Sequence, residues 1–161
     1  MTPVTQPTIL VVEDDATDAF LLRRALTKTN LPCQLRFVSD AQGALNYLKG
    51  VSPYADRQTF PLPALVLLDI RFPVLDGLEF LRRVNSHPRF GQLPVVVLAS
   101  SASASDRALA ENLGARAYYI KSGDPRDAVN MFKELGRQWL SQLTSVECRV
   151  TSDVSPEKLR R

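Results

Sequence analysis

The chain of 161 residues contains no apolar run near the roughly 18 residues that a membrane-spanning helix needs. Its first residues, MTPVTQPTIL, do not have the basic-then-apolar layout of a secretory signal. Cysteine is also scarce, and Cys33 and Cys148 fall in a predicted strand and in a polar tail, which argues against a disulfide. We therefore expect a cytoplasmic protein with no membrane association.

A large excess of one charge is missing as well. The 20 Lys and Arg residues against 17 Asp and Glu give a net charge of +3, and the arginine pairs are scattered along the chain. No helix-turn-helix or similar reader motif is present, so we expect no nucleic-acid binding. The single histidine, His87, precedes Pro88 in a predicted loop. This position argues against a phosphodonor role, which needs a histidine exposed on a helical bundle.

Strand and helix patterns alternate from one end of the chain to the other. The predicted strands are Thr8–Val12, Cys33–Val38, Ala64–Asp69, Pro94–Leu98 and Ala117–Lys121. The predicted helices are Ala16–Thr29, Ala41 to Gly50, Asp76 to His87, Ser105–Leu113 and a last helix from Asp124. Five β–α units with right-handed crossovers predict an α/β fold with a doubly wound, parallel, five-stranded sheet. In the order 2-1-3-4-5, the first and third strands are neighbours.

Local signals mark some of the boundaries. Asp76 followed by Glu79 predicts an N-cap with a capping box at the start of the third helix. Asp124 and Pro125 predict the start of the last helix. The Pro-containing connection at 51–63 is longer than is usual in a compact domain. The expected divisions are a flexible N-terminus at 1–7, one domain at 8–143 and a polar, disordered tail at 144–161.

Charged residues stand at the ends of three predicted strands. Glu13 and Asp14 follow the first, Asp69 ends the third and Lys121 ends the fifth. The carboxyl ends of parallel strands share one edge, so we expect these side chains to lie close together. Two carboxylates 5 Å apart repel by roughly 3 kcal/mol at an effective dielectric of 20, and a hard divalent cation removes that cost. Oxygen donors of this kind favour Mg²⁺, with Mn²⁺ or Ca²⁺ as substitutes.

Lys121 adds a cationic partner for phosphate. A carboxylate nucleophile, a Mg²⁺ ion and an ammonium group are together the components needed to form an aspartyl phosphate. The chain contains LVVEDD at 10–15, LVLLDIRFPVLDG at 65–77, PVVVL at 94–98 and GARAYYIK at 114–121. With the 52-residue interval from Asp69 to Lys121, these stretches resemble the response-regulator receiver domain over about residues 8–143.

The resemblance implies a flavodoxin-like (βα)5 fold and a histidine kinase as phosphodonor. The long connection at 51–63 and the lack of an output domain resemble the single-domain regulators of phytochrome-type kinases. In that family a homodimer through helix four, strand five and helix five would also be expected.

The resemblance implies a role for each site residue. Asp69 would accept the phosphoryl group and Lys121 would contact it. Glu13 and Asp14 would form an acidic pocket, with Asp14 a direct Mg²⁺ ligand; alone, Asp14 could equally cap the first helix. The backbone carbonyl of Arg71 would supply the remaining protein ligand. Tyr118 stands where the family has an aromatic switch residue, although an ordinary strand aromatic fits the position equally well.

Two positions depart from the family pattern. The family has a Thr or Ser 30 residues after the phosphoacceptor, and this chain has Ala99. Ser100 would supply the missing hydroxyl only if the fourth strand slips or bulges by one residue. Lys121 is followed by Ser122 where the family usually has a proline after a cis bond. Because a non-proline cis bond costs about 3 kcal/mol, we expect a trans, displaced loop or a strained one.

Three functions are compatible with these residues. The first is a stand-alone response regulator of a two-component phosphorelay, a phosphoacceptor with autophosphatase activity rather than a turnover enzyme. The second is a pseudo-receiver, a docking module in which Ala99 and Ser122 mark a lost switch. The third is a Mg²⁺-dependent hydrolase of the haloacid-dehalogenase type. It fits less well because Arg71 occupies the place of that family's second Asp.

Overall fold

The computed structural model describes residues 6–70, 75–100 and 102–140. The strands are β1 (Thr8–Val12), β2 (Gln34–Val38), β3 (Leu65–Ile70), β4 (Val95–Ala99) and β5 (Ala117–Ile120). The helices are α1 (Ala16–Thr29), α2 (Ala41–Lys49), α3 (Leu75–Ser86), α4 (Ala104–Asn112) and α5 (Pro125–Leu135), and a π-helical turn follows at Gly136–Leu140. None of the helices in the described ranges is long and apolar enough to cross a membrane.

The five strands form one parallel sheet in the order β2-β1-β3-β4-β5, which confirms the predicted fold and topology. In this order β1 lies between β2 and β3, with Val12 opposite Leu68. Glu13 and Asp69 each come one residue after that pair. The register therefore brings the charged residues that follow β1 and those at the end of β3 to the same edge of the sheet.

Helices cover both faces of the sheet, which is why β1, β3 and β4 have almost continuously apolar sequences. One face packs against α2, α3 and α4, and the other packs against α1 and α5. On the second face Leu22 and Ala25 of α1 meet Met131, Phe132 and Leu135 of α5. Each large apolar side chain buried in this way contributes roughly 1.5–3 kcal/mol.

Several predicted boundaries are wrong by one residue. β3 continues to Ile70, so Asp69 lies inside the strand, and β4 includes Ala99. α3 begins at Leu75, so Asp76 lies in its first turn and is not the N-cap. An acidic residue is favoured in the first turn as well as at the cap, and the sequence signal does not separate the two. Glu79 pairs with Arg82 at 2.5 Å and with Arg83 at 3.1 Å.

The predicted cap of the last helix is confirmed, because the Asp124 side chain accepts a hydrogen bond of 2.9 Å from the Arg126 amide.

The long connection at 51–63 is ordered by an aromatic cluster and one arginine. Tyr54 lies 5.1 Å from the ring centroids of both Tyr47 and Phe60. The Arg57 guanidinium donates to the carbonyl oxygens of Tyr47 and Leu48 at 2.9 and 2.8 Å, so it caps the end of α2.

The expectations for the two ends of the chain fall mostly outside the described residues. Residues 1–5 and 144–161 lie beyond the described ranges, as do 141–143 of the expected domain. The flexible N-terminus, the polar tail and the domain boundaries therefore stay predictions.

Candidate phosphoacceptor site

Four charged side chains meet at the carboxyl edge of the sheet. The ammonium nitrogen Nζ of Lys121 lies 2.6 Å from Asp69 Oδ2, 2.7 Å from Asp18 Oδ2 and 3.4 Å from Glu13 Oε1. The structure thus brings together the three strand-end residues Glu13, Asp69 and Lys121, as the sequence predicted. It adds Asp18, which lies in the first turn of α1.

The turn between β1 and α1 holds the acidic residues in place. The Glu13 amide donates to the Val38 carbonyl at 2.9 Å, and Glu13 Oε2 accepts from the Asp15 amide at 3.1 Å. Asp15 is the N-cap of α1, and its Oδ1 accepts from the Asp18 amide at 2.9 Å. The cap of α1 is therefore Asp15 and not Asp14, and this cap fixes where Asp18 stands above the site.

The electrostatics of the site follow from burial and crowding. The side chain of Glu13 is fully buried, and burial together with the neighbouring Asp69 carboxyl raises its pKa to about 7. Burial alone would lower the pKa of Lys121, but the hydrogen bonds that its ammonium donates to Asp18 and Asp69 outweigh burial and raise that pKa above its ordinary value. A single ammonium faces three carboxyl groups here, so the site has an excess of acidic groups.

Asp69 has an oxygen that the described side chains and backbone leave unsatisfied. The Asp69 side chain is only 6% exposed, and its buried Oδ1 has no hydrogen-bond partner within the described residues. Ligand oxygens of Glu13, Asp18 and Asp69 lie within 4.8 Å of one another. An unpaired buried carboxylate oxygen is costly, and oxygen donors of this kind suit a hard divalent cation. The residues present therefore fit a hard divalent cation.

Of the other two predicted metal ligands, Asp14 is not one of these three residues. Asp14 is exposed and lines a pocket of about 280 Å³ that Glu13 and Asp69 also line. Arg71, whose carbonyl was expected as a ligand, lies outside the described residues. Sequence reasoning missed Asp18 because it considered only strand ends. The available signal was its place three residues after the Asp15 cap, where an acidic residue is common.

The end of β4 contains no charge and no hydroxyl group. Ala99 is fully buried and pairs with Ile70 on one side and Ile120 on the other. The ladder is regular through Ala99, so the bulge that would place Ser100 at this position is absent from the described strand, and Ser100 is exposed. A regular ladder keeps the side-chain alternation, which leaves only a methyl group at this strand end.

The peptide bond between Lys121 and Ser122, in the loop after β5, is trans. Among the described residues only the Ser52–Pro53 bond is cis. The Lys121 amide donates to the Ala99 carbonyl at 2.7 Å, and Ser122 Oγ accepts from the Asp124 amide at 2.9 Å. Tyr118 is 6% exposed, and the Arg107 guanidinium lies 5.8 Å from its ring centroid. Tyr118, the predicted switch residue, is thus a buried aromatic of β5 that contacts Arg107 of α4.

Comparisons with known proteins agree with this geometry. Residues 9–133 match the family described as response regulator receiver domain. Response regulator Rcp1 of Synechocystis sp. is 30% identical over 136 residues, which cover 84% of this chain and 90% of Rcp1. The Mn²⁺-bound form of Rcp1 aligns with a TM-score of 0.70 at 30% identity, over 83% of this chain and 94% of that one.

Two further solved structures are similar. Response regulator RPA3017, in red light signaling of R. palustris, has a TM-score of 0.77 and 32% identity, over 83% of this chain and 94% of its own. The phosphorylated cyanobacterial phytochrome response regulator RcpA has a TM-score of 0.74 and 31% identity, over 86% and 96% of the two chains. On the family match and the length of these alignments, the chain belongs to the response-regulator receiver domain family.

Proposed function

We propose that the protein is a stand-alone response regulator that accepts a phosphoryl group from a histidine kinase on Asp69. The observation that supports this most is the Asp69 carboxylate itself. It is almost fully buried, one oxygen is 2.6 Å from the Lys121 ammonium, and the other has no partner within the described residues. A carboxylate in this setting is available as a nucleophile beside a fixed positive charge.

The proposed step is a transfer between two side chains. An oxygen of the Asp69 carboxylate attacks the phosphorus of a phosphohistidine in line with the P–N bond. The P–O bond forms as the P–N bond breaks, and the imidazole nitrogen leaves with the electron pair and takes a proton from solvent. Lys121 is placed to stabilise the charge on the phosphoryl oxygens. Attack of water on phosphorus later restores the carboxylate, so the protein has autophosphatase activity but is not a turnover enzyme.

A divalent cation completes this proposal. When bound, Mg²⁺ would supply neutralisation of charge on the phosphoryl oxygens, and Mn²⁺ or Ca²⁺ would be substitutes. Glu13, Asp14 and Asp69, with the backbone carbonyl of Arg71, are the residues proposed to hold it. The unpartnered Asp69 Oδ1 and the crowding of carboxylates support such a cation, and a solved form of Rcp1 contains Mn²⁺.

The proposed partner is a histidine kinase of the phytochrome type, in the cytoplasm. It is supported by the relatives, since RcpA is a phytochrome response regulator and RPA3017 belongs to red light signaling.

We include a homodimer through α4, β5 and α5, because Leu109 of α4 and Ile120 of β5 are 42% and 46% exposed. Light scattering with and without beryllofluoride, which mimics the phosphoryl group, tests this assembly. An unchanged monomer in both states would contradict it.

The phosphoacceptor is tested by mass spectrometry after incubation with acetyl phosphate and Mg²⁺. The wild type should gain one base-labile phosphoryl group, and the gain should vanish with EDTA. Asp69→Asn should gain none, while Asp56→Asn, which changes an exposed carboxylate in the 51–63 connection, should behave as the wild type. An unlabelled wild type, or an Asp69→Asn protein labelled like the wild type, would contradict the proposal.

A pseudo-receiver is the second candidate, and the end of β4 favours it. Ala99 in a regular ladder and a trans Lys121–Ser122 bond both depart from the pattern of a receiver that switches. This candidate predicts that kinase binding is the same for wild type, for Asp69→Asn and for the beryllofluoride-bound protein. A difference in dissociation constant among the three excludes it.

A further inference from the structure

Lys121 connects the phosphoacceptor strand to a helix that no sequence motif linked to the site. Its ammonium makes two short contacts, 2.6 Å to Asp69 of β3 and 2.7 Å to Asp18 of α1. The contact to Glu13 is longer, at 3.4 Å. The Lys121 side chain is 25% exposed and that of Asp18 is 35% exposed, so water only partly screens this pair.

The end of β4 offers no comparable connection. Ala99 presents a methyl group, which cannot accept or donate a hydrogen bond to a phosphoryl oxygen. The Lys121 backbone is fixed to β4 through the bond from its amide to the Ala99 carbonyl at 2.7 Å. A response of Lys121 to phosphorylation must therefore occur mainly in its side chain, at the end that touches Asp18.

Phosphorylation changes the charge that faces Lys121. The Asp69 carboxylate has one negative charge, and a phosphoryl group in its place has about two at neutral pH. The ammonium is then attracted more strongly to the phosphoryl oxygens. Because the same nitrogen serves both sides, a shift toward the phosphoryl group lengthens its contact to Asp18.

Asp18 belongs to α1, so a longer Lys121–Asp18 contact weakens an interaction of that helix. It lies in the first turn, and its amide is part of the cap at Asp15. Asp18 and Lys121 both line a cleft of about 590 Å³ between α1, β5 and α5. Leu21 lines the same cleft and is 47% exposed, and Phe20 beside it is 58% exposed. A change at Asp18 therefore alters the wall of an open, apolar cleft next to the phosphoacceptor.

We propose that Asp18 is a positioning residue for Lys121 and that the Lys121–Asp18 ion pair relays phosphorylation of Asp69 to the first turn of α1. The inference rests on the proposed function, since it needs a phosphoryl group on Asp69. It goes beyond that function by assigning the response to α1 and its cleft.

Amide hydrogen exchange measured by mass spectrometry tests the relay, with beryllofluoride and Mg²⁺ as the probe. In the wild type, the probe should speed exchange in the first turns of α1 by about threefold or more. Asp18→Asn keeps the shape of the side chain and removes its charge, so exchange in α1 should no longer depend on the probe. Asp18→Glu restores the charge and should recover the dependence, which a purely structural role of Asp18 would not explain.

Asp127→Asn is the matched control. Asp127 lines the same cleft from α5, so its substitution removes the same charge without touching the ion pair, and it should respond as the wild type does. A wild type that acetyl phosphate labels, but whose exchange in α1 is unchanged by beryllofluoride, would overturn the relay alone. So would an Asp18→Asn protein that still responds, or an Asp127→Asn protein that does not. A wild type that gains no phosphoryl mass from acetyl phosphate would overturn the proposed function and the relay with it.

Discussion

Two neighbouring strands of the sheet, β3 and β4, end in opposite ways. Asp69 pairs with Leu98 and Ile70 pairs with Ala99, so the two ends lie side by side. The end of β3 has a buried carboxylate with a short ion pair, and the end of β4 has a buried methyl group. The contrast teaches that the proposed phosphoacceptor stands beside a strand end that offers no hydroxyl group to a phosphoryl oxygen. The four charged residues of the site come from four elements: Asp18 lies in α1, Asp69 lies in β3, Glu13 follows β1 and Lys121 follows β5.

The largest effect on stability is expected at the acidic end. Lys121→Met removes the one ammonium that pairs with three carboxyl groups. Losing a partner of a fully buried pair costs 3–5 kcal/mol, and partial exposure of Lys121 and Asp18 reduces this to about 2–3 kcal/mol. Urea unfolding at neutral pH in metal-free buffer measures the loss.

The double variant Lys121→Met/Asp69→Asn provides the control. Removing a carboxylate as well should recover at least about 1 kcal/mol, because the two sites are in contact and their effects do not add. If the double variant is as unstable as the sum of the single ones, the charges at the end of β3 are not coupled as the geometry indicates.

The next effect is a dependence of stability on pH from Glu13, measured in EDTA. The pKa of Glu13 is raised from 4.5 to about 7, first by burial and then by Asp69. Between these values the folded state holds more protons than the unfolded state, so the contribution is present below pH 4.5 and is lost as pH rises through about 7. Glu13→Gln should therefore gain stability relative to the wild type from pH 5 to pH 8, by an amount on the order of 2 kcal/mol. A constant difference across this range would contradict it.

Ala99→Thr changes the apolar end and should have a smaller cost. Ala99 is fully buried, so the added atoms overpack the site and should lower the free energy of unfolding by about 1–2 kcal/mol. The new hydroxyl should also give β4 and α4 a response to beryllofluoride in hydrogen exchange. Ala99→Val is the matched control, because valine has nearly the shape of threonine without the hydroxyl. Equal responses of the two variants would show that the hydroxyl is not what this strand lacks.

The smallest effect is expected for Ser100→Ala. Ser100 is exposed and follows a regular ladder, so stability should stay within about 0.5 kcal/mol. The lifetime of the aspartyl phosphate, followed by mass spectrometry, should equal that of the wild type. A clearly altered lifetime would mean that Ser100 supplies the missing hydroxyl and would remove the contrast between β3 and β4.

The sheet and the meeting of its strand ends were predictable because all five strands are short and because β1, β3 and β4 are apolar and buried on both faces. The predicted bounds of β1 and α1 agree with the structure, and the convergence of Glu13, Asp69 and Lys121 follows from strand order alone. One-residue errors at the ends of β3 and β4 arose because a charged or small residue can complete a strand as well as follow it.

What was not predictable depends on side chains of helices. Asp18 looks like any acidic first-turn residue, and only the packing of α1 against α5 brings it to Lys121. Phe20 and Leu21 are apolar residues of α1, yet both are largely exposed, because α1 packs through Leu22 and Ala25. The periodicity of a sequence shows which side of a helix is apolar. It does not show how much of that side the neighbouring elements cover.

The arginine that caps α2 has a consequence for protein engineering. A long surface connection is usually where an inserted domain or a protease is tolerated. In this protein the 51–63 connection holds Arg57 against the carbonyls of Tyr47, Leu48 and Phe60, and its rings pack with Tyr47. An insertion into this connection would remove the hydrogen bonds that Arg57 donates at the end of α2. A label or sensor domain should therefore be fused elsewhere on the chain.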